Sequence, residues 1–157
     1  MNTERKKHTI DFALRYTWQQ VTKMYNERAA QYDSTMVFGF TLLSIDPKTG
    51  TPATALGPKM GIEPTSLSRT LKTLETKGLI IRKPNPEDGR SVLIILTREG
   101  HAMREVSREA VLTFNEQIQV RVGAEKLEAF FEVTEAIAAL INTKQIFKPA
   151  VIHEETN

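Results

Sequence analysis

Between Leu56 and Leu71, Gly61 separates two short segments of helical periodicity, and Gly78 follows the longer one. Glycine tolerates the left-handed backbone that closes a helix, so each marks a C-terminal stop. Thr51-Pro52 reads as an N-cap followed by a proline at the first helical position, which starts a short helix ending at Gly61. Pro64 is placed at the first turn of the next helix, whose stripe is Leu67, Leu71 and Leu74. Leu56, Met60, Ile62 and Leu67 can close the angle between the two. The spacing predicts a helix-turn-helix, whose second helix can enter a DNA major groove. The same motif can also be purely structural.

On that second helix the outward residues are Thr65, Ser66, Ser68, Arg69 and Lys72. Small hydroxyls near a helix N-terminus allow close approach to phosphates and base edges, where the helix dipole also favours anions. Arg69 is suited to bidentate reading of a guanine. Two β-branched runs, Leu79-Ile80-Ile81-Arg82-Lys83 and Ser91 to Leu96, flank the polar turn Pro84-Asn85-Pro86-Glu87-Asp88-Gly89-Arg90 and predict a hairpin. A basic hairpin beside a recognition helix is a wing that can lay arginine into the adjacent minor groove. Asp88 is expected to pair with Arg90 and hold its guanidinium. An ordinary solvated turn pair is the plainer alternative.

The flanks are helical. Ile10, Leu14, Trp18, Val21 and Tyr25 form one stripe and predict a first helix with one buried face. Asp33 or Ser34 is a candidate cap for a second helix through Phe38, Leu42 and Ile45, stopped by Asp46-Pro47. Thr97 can cap a long helix through Val122. Gly123 separates it from a last one with Leu127, Phe130, Phe131, Ile137 and Ile141 on one stripe. The fold class is mainly α with a small β-hairpin wing. The residues from Lys144 to Asn157 lack a strong period and are expected to fray.

Charge and composition narrow the function. Residues 1–97 carry 14 Lys/Arg against 9 Asp/Glu, whereas 98–157 carry 7 against 10. Such a division suits a polyanion partner for the first part and a protein partner for the second, though a chance imbalance of solvated charges would look the same. The chain has no cysteine, which excludes disulfides, Cys-ligated zinc, thiol nucleophiles and thiol redox switches. His8, His101 and His153 are widely spaced, so no metal site is expected. Gly57-Pro58-Lys59-Met60-Gly61 lacks the spacing and the Lys-Ser/Thr ending of a phosphate loop. With no nucleophile–base pair in view either, neither catalytic residues nor a cofactor is expected. No apolar run is long enough to span a bilayer, and no apolar segment follows the basic Met1–His8 stretch. The expectation is a cytoplasmic protein with no membrane partner.

Four motifs in register resemble the MarR (multiple antibiotic resistance regulator) family of winged helix-turn-helix transcription regulators. They are Ser66-Leu67-Ser68-Arg69, Leu74-Glu75-Thr76-Lys77-Gly78-Leu79-Ile80, Asp88-Gly89-Arg90-Ser91 and Leu96-Thr97-Arg98-Glu99-Gly100. The resemblance implies a homodimer on a pseudo-palindromic site in double-stranded DNA, with repression the commoner outcome. It implies dimerisation helices at 1–32 and 98–145, a DNA-binding lobe at 33–97 and a tail at 146–157. It makes Arg90 the expected minor-groove arginine, Asp88 its partner and residues 65–72 the major-groove surface. It also implies a small phenolic or aromatic anion as effector, for which Arg15, Trp18, Tyr25, Phe38 and Phe40 are candidate lining residues. Core aromatics at helical spacing are the simpler account of the same residues. The peroxide-sensing branch of the family needs a reactive cysteine that this chain lacks. Four positions depart from the family pattern: Gly89 stands where a basic residue is usual, Gly57 where alanine is common, Thr70 where an apolar residue is usual, and Pro58 lies inside a helix. The alternative function is a winged-helix module that contacts protein, or binds DNA without sequence preference, and senses no ligand; the 59–90 window, 7 basic against 4 acidic, permits it.

Overall fold

The computed structural model describes residues 9–148. Its element order is α1 (Ile10–Ala30), α2 (Met36–Ser44), β1 (Thr51–Pro52), α3 (Ala53–Met60), α4 (Pro64–Thr76), β2 (Ile80–Pro84), β3 (Val92–Leu96), α5 (Arg98–Val122) and α6 (Ala124–Asn142). Among the described residues the fold is mainly helical, with one three-stranded antiparallel sheet in the order β1-β3-β2. No helix among them is long and apolar enough to cross a membrane. The chain divides into two compact units, one through Leu112 and one from Thr113.

The core of the first unit lies where the stripes of the helix-turn-helix meet the hairpin. Leu42, Ile45, Leu56, Leu67, Leu71, Leu74, Ile80, Ile94 and Leu96 form one buried cluster, with Phe38, Met60 and Ile62 packed against it. Gly61 closes α3 in the left-handed region at φ 64°, and the helix continues through Pro58 to reach it. Because proline has no N–H, α3 lacks one backbone bond there. Gly57 is buried, and Thr70 is buried on the inner face of α4.

The register of β2 with β3 runs from Ile80↔Leu96 to Pro84↔Val92, so the hairpin forms where the two β-branched runs place it. The third strand was not expected. Thr51 and Pro52 pair antiparallel with Ile94 and Leu93 instead of capping and opening α3. The Thr51 hydroxyl accepts from the Asp46 backbone N–H at 2.8 Å, so it is spent on the preceding turn, and α3 begins only at Ala53. Gly50 makes this possible: its φ is +75°, and a β-carbon there would stand 2.6 Å from the Ile94 carbonyl oxygen.

The cap of α2 also moves. Thr35 is the N-cap, accepting from the Phe38 N–H at 3.2 Å, whereas Asp33 and Ser34 finish the turn out of α1. Ser34 N–H donates to the Ala29 carbonyl at 3.1 Å and Asp33 N–H to Ala30 at 3.2 Å, with Asp33 at φ 51°. This is the left-handed helix closure that glycine usually makes and that aspartate tolerates. Neither Asp33 nor Ser34 is therefore available to begin the next helix.

The stripe on α1 is largely uncovered. Tyr25 alone on this helix is buried, while Ile10 is 64% and Trp18 54% exposed. Within the second unit, α6 has no buried residue, and Phe130, Phe131, Leu140 and Ile141 are all exposed. The described part of the expected tail, Lys144 to Lys148, forms turns; the remainder, with His8 and His153, lies outside the described residues.

Candidate nucleic-acid interface

Helix α4 is sharply two-faced. Leu67, Thr70, Leu71 and Leu74 are buried, and Thr65, Ser66, Ser68, Arg69 and Lys72 are all exposed. Pro64 at its first turn costs no hydrogen bond, because the first N–H groups of a helix have no partner within it. The exposed hydroxyls therefore sit beside free backbone donors at the positive end of the helix, a setting that favours phosphate oxygens.

The basic side chains of this region fall into two groups. Lys59 donates to the Ser44 carbonyl at 2.8 Å, Lys77 to Asp33, and Arg82 Nε to Glu75 at 3.0 Å, so these three brace the fold. Arg69, Lys72, Lys83 and Arg90 form no ion pair among the described residues and are exposed. The unbraced cations are those on the outer face of α4 and along the hairpin. A modest overall charge thus resolves into a concentrated set of available donors.

The wing tip differs from the expected ion pair. Asp88 Oδ1 accepts from the Arg90 backbone N–H at 3.0 Å, and the Asp88 carbonyl accepts from the Ser91 N–H at 3.1 Å. Asp88 folds the turn and leaves the Arg90 guanidinium unpaired, because a short side chain two residues away reaches the backbone before the end of an arginine. Asn85 reinforces the turn, accepting from the Glu87 N–H at 3.1 Å and donating to the Ser91 hydroxyl at 2.8 Å. Gly89 has no positive φ and open space around its missing β-carbon.

A second feature lies between the last turns of α1, α2 and the first half of α5: a partly open, largely apolar cleft. Tyr25 and Phe40 line it, their rings edge-to-face at 5.6 Å. Burial pushes the Tyr25 hydroxyl above the ordinary tyrosine range. Arg15, Trp18 and Phe38 are not on its wall. Arg15 stands over the Phe12 ring at 6.0 Å, Trp18 is half-exposed two turns before Tyr25, and Phe38 packs on the core. The cation at the cleft is Arg28, which donates to Gln31 at 2.7 Å and to the Tyr32 hydroxyl at 3.3 Å. Tyr25, Arg28, Ala29 and Tyr32 follow the i, i+3, i+4, i+7 spacing of one helix face, a pattern the sequence contains. No three His, Cys, Asp or Glu side chains among the described residues come together as a metal site.

The model of the MarR family matches residues 35–92. The chain is 32% identical over 87 residues to YdgJ of Bacillus subtilis, an uncharacterised helix-turn-helix transcriptional regulator, covering 55% of this chain and 53% of that one. It is 31% identical over 99 residues to the organic hydroperoxide resistance transcriptional regulator of the same species, covering 63% of this chain and 67% of that one. The chain thus matches about half the length of the first relative and two thirds of the second. Staphylococcus aureus MepR, solved as a DNA complex, shares the fold at a TM-score of 0.76 and 20% identity, covering 85% of this chain and 99% of that one.

Proposed function

This chain belongs to the MarR family, and from that premise we propose that it is a sequence-specific double-stranded DNA-binding regulator, acting as a homodimer and a repressor. The observation that carries the reading is the outer face of α4: Thr65, Ser66, Ser68, Arg69 and Lys72 are exposed together, and neither Arg69 nor Lys72 forms an ion pair among the described residues. Arg69 and Lys72 supply major-groove and phosphate donors, and Arg90, on a turn folded by Asp88, supplies the minor-groove arginine. Residues 33–97 form the DNA-binding lobe. Residues 1–32 and 98–145 carry the dimerisation helices, whose apolar stripes on α1 and α6 need a second copy to cover them.

The cleft is the effector site in this reading. An aromatic anion would place its ring against Tyr25 and Phe40 and its charge toward Arg28. Thiol sensing is not open to this chain despite its likeness to the hydroperoxide regulator, because the sequence has no cysteine.

Selection of bound fragments from random duplex DNA tests the function directly. A specific dimer enriches an inverted repeat and prefers it over scrambled DNA by about a thousandfold or more at physiological salt. Enrichment of no sequence would replace this reading with non-specific DNA or protein binding.

A further inference from the structure

The turn from Tyr32 to Met36 has two faces with different neighbours. On one side Tyr32, Ser34, Thr35 and Met36 form part of the cleft wall. On the other, Asp33 is gripped by Lys77, the residue that ends α4. Lys77 Nζ donates to the Asp33 carboxylate at 2.7 Å and to the Asp33 carbonyl at 3.1 Å. The turn is otherwise fastened to the helices beside it: Met36 N–H donates to the Asn26 side chain at 2.9 Å, and Ser34 N–H closes α1. Asp33 thus stands in the chain between the cleft wall and, through Lys77, the end of α4.

From this placement we infer that the 32–36 turn is a relay, with the Asp33–Lys77 bridge as the contact through which filling of the cleft reaches the recognition helix. The inference rests on the DNA-reading role proposed for α4 and on the effector role proposed for the cleft. An exposed ion pair contributes little to stability, and the Asp33 side chain is 96% exposed. Its value here is alignment. The ammonium sits at the negative end of α4, where a cation is favoured, and its second bond is to a backbone oxygen that reports the turn's own position. Asp33 holds its carboxyl below the ordinary range because Lys77 hydrogen-bonds to it, so the bridge stays charged at neutral pH.

Amide hydrogen exchange on the full chain tests the relay without DNA. Coupling is reciprocal, so Lys77→Met, at an exposed position, should speed exchange at Ser34 and Met36 at least threefold, and Lys77→Arg should leave it near wild type. In the other direction, Ala110→Leu or Ala29→Leu fills the cleft and should change exchange at Lys77, Gly78 and Leu79 at least threefold in the wild type. In the Lys77→Met background the same filling should change nothing further. Exchange at Ser34 and Met36 indifferent to Lys77→Met, or a filling response that survives Lys77→Met, overturns the relay. A failed DNA selection with the exchange response intact would instead overturn the DNA-reading role and leave the mechanical link standing.

Discussion

Gly100 on α5 lies so close to Leu79 that a β-carbon there would stand 1.9 Å from the Leu79 carbonyl oxygen. The neighbouring Thr97 explains the approach. Its hydroxyl donates to the Gly78 carbonyl at 2.6 Å and accepts from the Gly100 N–H at 3.0 Å, while Thr97 N–H donates to Leu79 at 3.1 Å. The start of α5 is thus hydrogen-bonded onto the corner between α4 and β2. Gly100→Ala should destabilise the protein by about 1–3 kcal/mol, since backbone must move to admit the methyl group. Chemical denaturation reads this, and an unchanged midpoint would refute the close approach.

Gly57 is constrained by its neighbour in the sequence instead. A β-carbon there meets the Ile62 carbonyl oxygen at 3.5 Å and a Leu67 methyl at 3.6 Å, which is ordinary contact, and its backbone is helical. The next residue is Pro58, however, and in helical backbone its ring crowds a β-carbon on the residue before it, so Gly57→Ala should destabilise by about 1 kcal/mol. The shift in melting temperature checks the sign.

On the proposed reading, losing a cation from α4 or the wing should weaken DNA binding, and adding one to the wing should tighten it. Arg69→Ala should cost about 1–3 kcal/mol and relax base preference at one position, whereas Arg90→Ala should weaken binding to the same selected fragment. Gly89→Lys, placed in open space beside Arg90, should tighten binding and steepen the salt dependence by about one unit of log–log slope. Titrations at several salt concentrations distinguish these outcomes.

Acid should loosen two turns in a defined direction. The backbone N–H groups of Thr49 and Lys48 hold the Asp46 carboxyl below its ordinary value of 3.8, each donating at 2.8 Å. The Lys77 hydrogen bond does the same for Asp33. A carboxylate whose folded pKa lies below its unfolded pKa contributes stability that is full above the unfolded value and lost as pH falls through the folded one. Melting temperature should therefore drop below about pH 4, and Asp46→Asn should flatten that drop. A variant as acid-sensitive as wild type would remove Asp46 from the account.

Dimerisation should depend on the open stripe of α1. Sedimentation at micromolar concentration should give twice 17.7 kDa for the wild type. Leu14→Asp, on a position 41% exposed in the single chain, should shift the protein toward monomer without unfolding it. A wild-type monomer would sink the homodimer.

Sequence by itself determined most of the helix-turn-helix and the hairpin. Their marks are local: Gly61 and Gly78 as left-handed stops, leucines at helical spacing, two β-branched runs around a polar turn. The inward and outward faces of α4 followed from the 3.6-residue period alone, and Thr65, Ser66, Ser68, Arg69 and Lys72 lie where it puts them. Tertiary structure decided what a short polar side chain does when several partners are within reach. Thr51 joins a strand because Gly50 lets the turn approach Ile94, and Asp88 takes the Arg90 amide because that donor is nearer than the guanidinium. It also decided which level of α1 meets the cleft: periodicity assigns a face, but only the packing of α2 and α5 selects Tyr25 and Arg28 over Trp18 and Arg15. The link from Asp33 to Lys77 spans 44 residues and carries no local pattern, so only the folded chain brings the turn and the end of α4 together.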